Sequence, residues 1–314
     1  MANNLLLNQE RHIIMMLSRT YSIWLSVGGK MAPRLYTFQF GRVLVVGRQF
    51  TNKGEFYTTV FSAKKPVSDQ FNKFLFLDVQ NLSVNQETFF VGKLVKYKAK
   101  EEDVVIEDSS VLGTSIVDNA VVAQPEFVLH PFTGIIAFRS MPSLFSPRQF
   151  RDKFARLVEA SFDNFFISTR VEAVNEEFEI QEQFQRFRAI KCISVDLHPS
   201  NPHNGDLWKH IDEEIKAYGA AEYQQQLKAP DDGSLNKEKL QQSDVYAGLI
   251  MASDGYGYAS VEGVLEDGQR VKVTTADNPT EAKTTLDGDS EHLINQLVRT
   301  FQSVWKRTKH ESKN

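Results

Sequence analysis

A chain of 314 residues with 41% hydrophobic and 24% charged residues is long enough to bury a sizeable core and to divide into two domains. Its formal net charge of -4 and pI near 6.0 exclude a surface coated in positive charge, so any contact with nucleic acid has to be a local patch. The single cysteine, Cys192, excludes an internal disulfide and suits a reducing compartment, which points to the cytoplasm.

Residues 1–30 carry apolar clusters, Leu5 to Leu7 and Ile13 to Leu17. Glu10, Arg11, His12 and Arg19 interrupt them, so no uniform membrane-crossing or signal core is read there. Met31-Ala-Pro-Arg34 reads as a second start directly before the first strand pattern, and residues 1–30 are taken as an N-terminal extension.

From Leu35 to Phe138 short runs rich in aromatic and β-branched residues alternate with turn chemistry, the pattern of strands and hairpins. Strands are expected at Tyr36 to Val46, Phe56 to Ser62, Phe74 to Val79, Thr88 to Tyr97 and Val104 to Leu112. Two more, Glu126 to Leu129 and Gly134 to Arg139, are joined by the turn at Pro131-Phe132-Thr133-Gly134, where proline fixes φ and glycine permits a positive φ.

At Ser146-Pro147-Arg148-Gln149 the period changes. Serine can cap, proline suits the first helical position, and glutamine three residues on completes a capping box. Phe150, Phe154, Leu157 and Val158 then share one face of a helix that marks the domain junction. The rest alternates: a strand at Phe165 to Ala173, a helix at Glu176 to Arg188, a strand at Ile190 to Leu197 and a helix at Asp206 to Tyr218. After the polar loop Pro230 to Asn236 come strands at Tyr246 to Ala252, Tyr256 to Leu265 and Arg270 to Thr275. A final helix from Ser290 to about Lys309 aligns Leu293, Ile294, Leu297, Val298, Phe301, Val304 and Trp305 as one apolar stripe. The fold class is therefore α+β: a β-rich domain over residues 31–145, then a layered α/β domain over residues 146–314 with a long C-terminal helix.

No complete catalytic constellation emerges. Cys192 lies in the apolar run Ile190 to Val195 and reads as a small hydrophobe. His198 and His203 have weak metal-ligand spacing and read better as part of a rigid strand-to-helix connection. Glu214-Ile215-Lys216 and Glu281-Ala282-Lys283 match the Glu-x-Lys triplet of metal nucleases, the first on an expected helix and the second in a polar segment. Gly255-Tyr256-Gly257-Tyr258 has glycines but no lysine-serine pair, so a hairpin turn is favoured over a phosphate loop. No cofactor is expected.

Basic residues supply the binding candidates. Arg299 and Lys306, seven residues apart, fall opposite the apolar stripe of the last helix, flanked by Asn295 and Gln302 instead of acids. Arg307 and Lys309 extend that charge, although a helix C-terminus favours cations on dipole grounds alone. Arg148 and Arg156 on the junction helix complete the set, with Asp152 between them at i, i+4 spacing and placed to neutralise both. These six residues are the expected contacts to a phosphate backbone.

The order strand (Phe165 to Ala173), helix, strand (Ile190 to Leu197), then Tyr246-Ala-Gly-Leu-Ile-Met-Ala-Ser-Asp-Gly-Tyr-Gly257 and a long last helix resembles the layout of the RexA phage-exclusion proteins. It is also similar to KwaB of the Kiwa defence system, over roughly residues 135–310. The resemblance implies a homodimeric DNA-binding sensor in anti-phage defence, with a β-rich N-terminal domain, a hinged second domain and a membrane-protein effector as partner. It rests on element order and hydrophobic pattern and carries over no individual residue. The expected function is a non-catalytic DNA-binding sensor or regulator; a metal-dependent nuclease effector and a protein-binding subunit of a defence complex are the alternatives.

Overall fold

The computed structural model describes residues 33–47, 52–108, 111–165, 167–176, 179–200 and 207–307. The proposed N-terminal extension lies outside the described residues.

The first strand, β1 (Tyr36–Gly47), is the hub of a nine-stranded sheet. It is followed by a helix, α1 (Lys53–Ser62), where the sequence pattern suggests a strand. The correction has a local cause: Phe56, Tyr57, Val60 and Phe61 recur at helical spacing on one buried face, and the Asn52 side chain accepts the Glu55 backbone N–H as a cap. Next come β2 (Val67–Ser68), β3 (Lys73–Val84) and β4 (Glu87–Asp108), paired antiparallel in turn. The strand expected at Val104 to Leu112 is the end of β4 and the start of β5 (Val111–Ala123), a partner strand absent from the sequence-based expectation.

β6 (Glu126–Leu129) and β7 (Ile135–Arg139) form the expected hairpin, Phe127 opposite Phe138 and Leu129 opposite Ile136. α2 (Pro147–Ala160) begins at the capping box: Ser146 Oγ accepts the Gln149 N–H, and Gln149 Oε1 accepts the Ser146 N–H. After it, β8 (Ile167–Ala173) returns to pair with β1.

The remaining elements build a second, four-stranded sheet. α3 (Glu179–Arg186) leads into β9 (Phe187–Leu197), then α4 (Lys209–Ala217) and β10 (Tyr223–Lys228). A short α5 (Lys237–Gln241) precedes α6 (Asp244–Met251), which runs into a single π-helical turn, Ala252–Tyr256. The strand expected over Tyr246 to Ala252 is therefore helical. That run is apolar all round, a pattern that a buried strand and a buried helix share, and here both sides of a helix are packed. β11 (Gly257–Leu265) and β12 (Arg270–Thr274) complete the order β10-β9-β11-β12. Lastly β13 (Glu281–Thr284) rejoins β1, and α7 (Ser290–Arg307) closes the fold.

Alternation along the strands of the larger sheet sends side chains to two cores. Phe127, Leu129, Ile136 and Phe138 face α1 and α2 in one aromatic core. Val128, Ile135, Ala137, Phe38 and Phe40 face α7 on the opposite side. Burying each of the valine, leucine, isoleucine and phenylalanine side chains contributes about 1.5–3 kcal/mol, so these strands form a layer packed on both faces by helices. Among the described residues the smaller sheet packs one face, against α3 to α6.

The fold class is α+β as expected. The division at residue 145, however, does not separate two packed bodies: β8 and β13 both pair with β1, α7 covers the first sheet, and the chain from Leu35 onward is one compact unit. Strand pairing across the middle of the chain overrides a boundary drawn from a change in local period.

Candidate nucleic-acid interface

The apolar stripe of α7 is realised: Leu293, Ile294, Leu297, Phe301 and Val304 are buried, and the Phe301 ring meets Phe40 edge-on at 5.2 Å and Phe89 at 5.6 Å. Anchoring one face leaves the other outward. Arg299 and Lys306 are exposed there, about 10 Å apart along the axis. Among the described residues neither has an ion pair, and Asn295 and Gln302 beside them are also exposed.

Arg307 departs from the expectation of a phosphate contact. Its Nη1 donates to the Asn175 carbonyl at 2.6 Å and Nη2 to Thr280 Oγ1 at 3.3 Å. β8 and β13 lie end to end along the same edge of β1, and Arg307 ties together the segments where they meet. Its charge serves two strand ends, so it is taken out of the contact set. Lys309 lies outside the described residues.

Arg148 and Arg156 are exposed on α2. The expected neutralisation by Asp152 does not form: Asp152 pairs at 2.9 Å with the adjacent Lys153, which also lies over the Phe74 ring. α2 and α7 cover opposite faces of the nine-stranded sheet, so Arg148 and Arg156 do not share a surface with Arg299 and Lys306.

The remaining suspects resolve into structural contacts. His198 is buried, with Nδ1 3.0 Å from the Ala221 carbonyl and Nε2 4.0 Å from Asp196 Oδ1; His203 lies outside the described residues. Among the described residues no group of three His, Cys, Asp or Glu is placed to hold a metal. Lys216 of the first triplet donates to Asp212 Oδ2 (2.7 Å) and Ser200 Oγ (2.9 Å), while buried Asp212 also accepts from Ser200 N and Oγ, both at 2.6 Å. Glu281 and Lys283 lie on β13, and Glu281 accepts from Gln39 Nε2 at 2.9 Å. Tyr256-Gly257 leads from the π turn into β11 and not through a hairpin; Gly255 sits at φ 84°, with a Cβ there only 2.9 Å from the Arg42 Cβ.

Arg42 is absent from the sequence-based candidates. It occupies an inward position of β1, in the series Phe38, Phe40, Arg42, Leu44, at the seam where one sheet face passes from the α7 core to the core of the smaller sheet. Nε donates to the Asp254 carbonyl and Nη1 to the Thr133 carbonyl, each at 3.0 Å, and the guanidinium lies 4.3 Å from the Tyr256 ring centroid. The Asp254 carboxylate takes the Trp208 Nε1–H at 2.8 Å. Nearby, Lys53 donates to the Phe132 carbonyl at 2.8 Å; burial, then repulsion from Arg42, lowers its pKa to about 8. Burial, then Lys53, lowers that of His130 to about 4. An arginine within a strict inward alternation was the available signal.

A family model described as a domain of unknown function, DUF4747, matches residues 36–302. No curated protein matches the chain.

Proposed function

Since the chain belongs to the DUF4747 family, we propose, from its own surface, that it is a non-catalytic nucleic-acid-binding sensor or regulator that grips duplex DNA through the phosphate backbone. The observation that supports this reading is the outward face of α7, where Arg299 and Lys306 stand exposed without a quenching carboxylate among the described residues. A helix held by five buried side chains presents those charges on a rigid base, which limits the side-chain ordering that binding costs. With a net charge of -4 the chain has no general attraction for a polyanion, so a local patch has to supply the contact.

The resemblance to RexA and KwaB supplies the setting: a cytoplasmic homodimer in anti-phage defence, signalling to a membrane-protein effector. Among the described residues no helix is long and apolar enough to cross a membrane, which fits a separate effector carrying that role.

The test is the salt dependence of duplex binding, read by fluorescence anisotropy. Every phosphate that the protein neutralises adds about 0.9 to the steepness of log affinity against log salt, so Arg299→Ala with Lys306→Ala flattens the slope by about 1.8. Arg148→Ala with Arg156→Ala, on the other side of the sheet, leaves the slope unchanged. A slope that does not respond to the α7 pair rejects this surface.

A further inference from the structure

Among the described residues one face of the four-stranded sheet has no helical cover, and the strand register lays its residues out in rows. Lys228 of β10, Cys192 of β9, Glu262 of β11 and Lys272 of β12 stand side by side across all four strands. At this end of the sheet β11 shifts register on β9 between Glu262 and Gly263. A Cβ at Gly263 would lie 2.4 Å from the Ala189 carbonyl oxygen, so only glycine permits the shift, and a shifted strand bends. Beside the bend lies a hollow of about 390 Å³. That is within the range of small-molecule sites, roughly 300–1,000 Å³.

The charge around this hollow is out of balance in a chain that is acidic overall. Lys191, Lys228, Arg270 and Lys272 line it, against Asp231 and Glu262. Two of the cations are committed. Lys191 donates to the carbonyls of Asp231 and Gly233, which holds the loop after β10 in place as a wall. Lys272 pairs with Glu262 at 2.7 Å, which also neutralises the acid nearest the middle of the row. Lys228 and Arg270 have no ion pair among the described residues. They rise from the two outer strands, three strand spacings apart across the sheet and two residues apart along it, about 16 Å in all, so their long side chains reach in from opposite sides. Ala229 and Pro230 supply apolar wall.

We propose that this hollow binds a phosphate monoester of mononucleotide size, its phosphate held between Lys228 and Arg270 over Cys192. A phosphate monoester carries a charge of about -1.5 to -2 near neutral pH, which two unpaired cations match, and a guanidinium can grip it with two parallel hydrogen bonds. The apolar wall fits the ligand's remaining, uncharged body. This site uses none of the α7 residues, so it stands or falls separately from the duplex-binding reading.

Cys192 is the chain's only cysteine and is half-buried at the hollow, so its alkylation by iodoacetamide reports occupancy in the full-length protein. Adenosine monophosphate is expected to slow alkylation saturably, by about threefold or more, because a bound ligand blocks access to the thiolate. Lys228→Ala and Arg270→Ala should each abolish that protection, read as the ratio of liganded to unliganded rate within each variant, because removing a cation beside the thiol also changes the unliganded rate. Inorganic phosphate should protect more weakly, since it lacks the body that meets the apolar wall. No protection by the nucleotide at millimolar concentration overturns the proposal. Protection by a single-stranded oligonucleotide but not by the free nucleotide overturns it too, and transfers the hollow to strand binding. If the thiol resists alkylation even without ligand, equilibrium dialysis of radiolabelled adenosine monophosphate against the wild type and Arg270→Ala decides: retention by the wild type that the variant lacks supports the site, and no retention by the wild type removes it.

Discussion

On the nine-stranded sheet Phe127 and Phe138 point into the α2 core, and their neighbours Val128 and Ala137 point into the α7 core. On the four-stranded sheet Ile193 and Val195 point into the helices, while Cys192, Ser194 and Gln226 lie on the uncovered side. The first sheet uses both sets of alternate positions for packing; the second keeps one set for polar chemistry. The contrast separates scaffold from surface. Substitutions in the first should act on stability and those on the open face of the second on binding.

The sharpest way to break this contrast is Phe154→Ala. Phe154 is fully buried, with rings of Phe76 at 5.0 Å, Phe127 at 5.5 Å and Phe150 at 5.9 Å around it. A loss of about 3–5 kcal/mol is expected in urea unfolding. A loss below about 1 kcal/mol would mean that the core relaxes around the gap and that the two-sided layer is not the scaffold.

A smaller effect comes from His130, at the seam beside the larger sheet. Its ring lies 5.1 Å from Phe89 and its Nδ1 2.8 Å from Thr133 Oγ1, with Lys53 close enough to disfavour protonation. The folded pKa, about 4, is below the ordinary 6.5, so the unfolded chain binds the proton first. The stabilisation is therefore complete above pH 6.5 and is lost as the pH falls towards 4, by up to about 3 kcal/mol. Unfolding free energies measured between pH 7 and pH 4.5 should decline less steeply in His130→Asn; equal slopes would assign the acid sensitivity elsewhere.

The smallest effect is expected on the open face. Gln226→Ala should change stability by no more than about 0.5 kcal/mol, since the side chain is exposed and approaches Cys192 Sγ only at 3.5 Å. A loss several times larger would show that this face is packed in solution and would remove the contrast.

Much of the architecture was legible in residues that act on near neighbours. Ser146, Pro147 and Gln149 announced α2, the heptad-like stripe from Leu293 to Val304 announced α7, and Pro131 to Gly134 announced the β6–β7 turn. Phe56 to Phe61 misled because aromatic composition suggested a strand while the spacing was helical; Tyr246 to Met251 misled because an apolar run has no period to read. β10, with the sequence Tyr-Gln-Gln-Gln-Leu-Lys, is a strand because β9 supplies its hydrogen bonds, and nothing within six residues says so. Of the binding candidates, the exposure of Arg299 and Lys306 followed from the α7 stripe alone.

By itself, then, the sequence determined those helices and turns whose caps and periodicities lie within a few residues of one another, together with the α+β class that they imply. Only the tertiary structure decided that Arg307 turns inward to join two strand ends, that Arg148 and Arg299 face away from each other across a sheet, and that Arg42 is buried at a seam. The reason is range. A cap or an amphipathic stripe is settled by neighbours along the helix, whereas the surroundings of a long cationic side chain depend on which distant strands pair with β1, and that pairing joins residues as far apart in the chain as Tyr36 and Thr284.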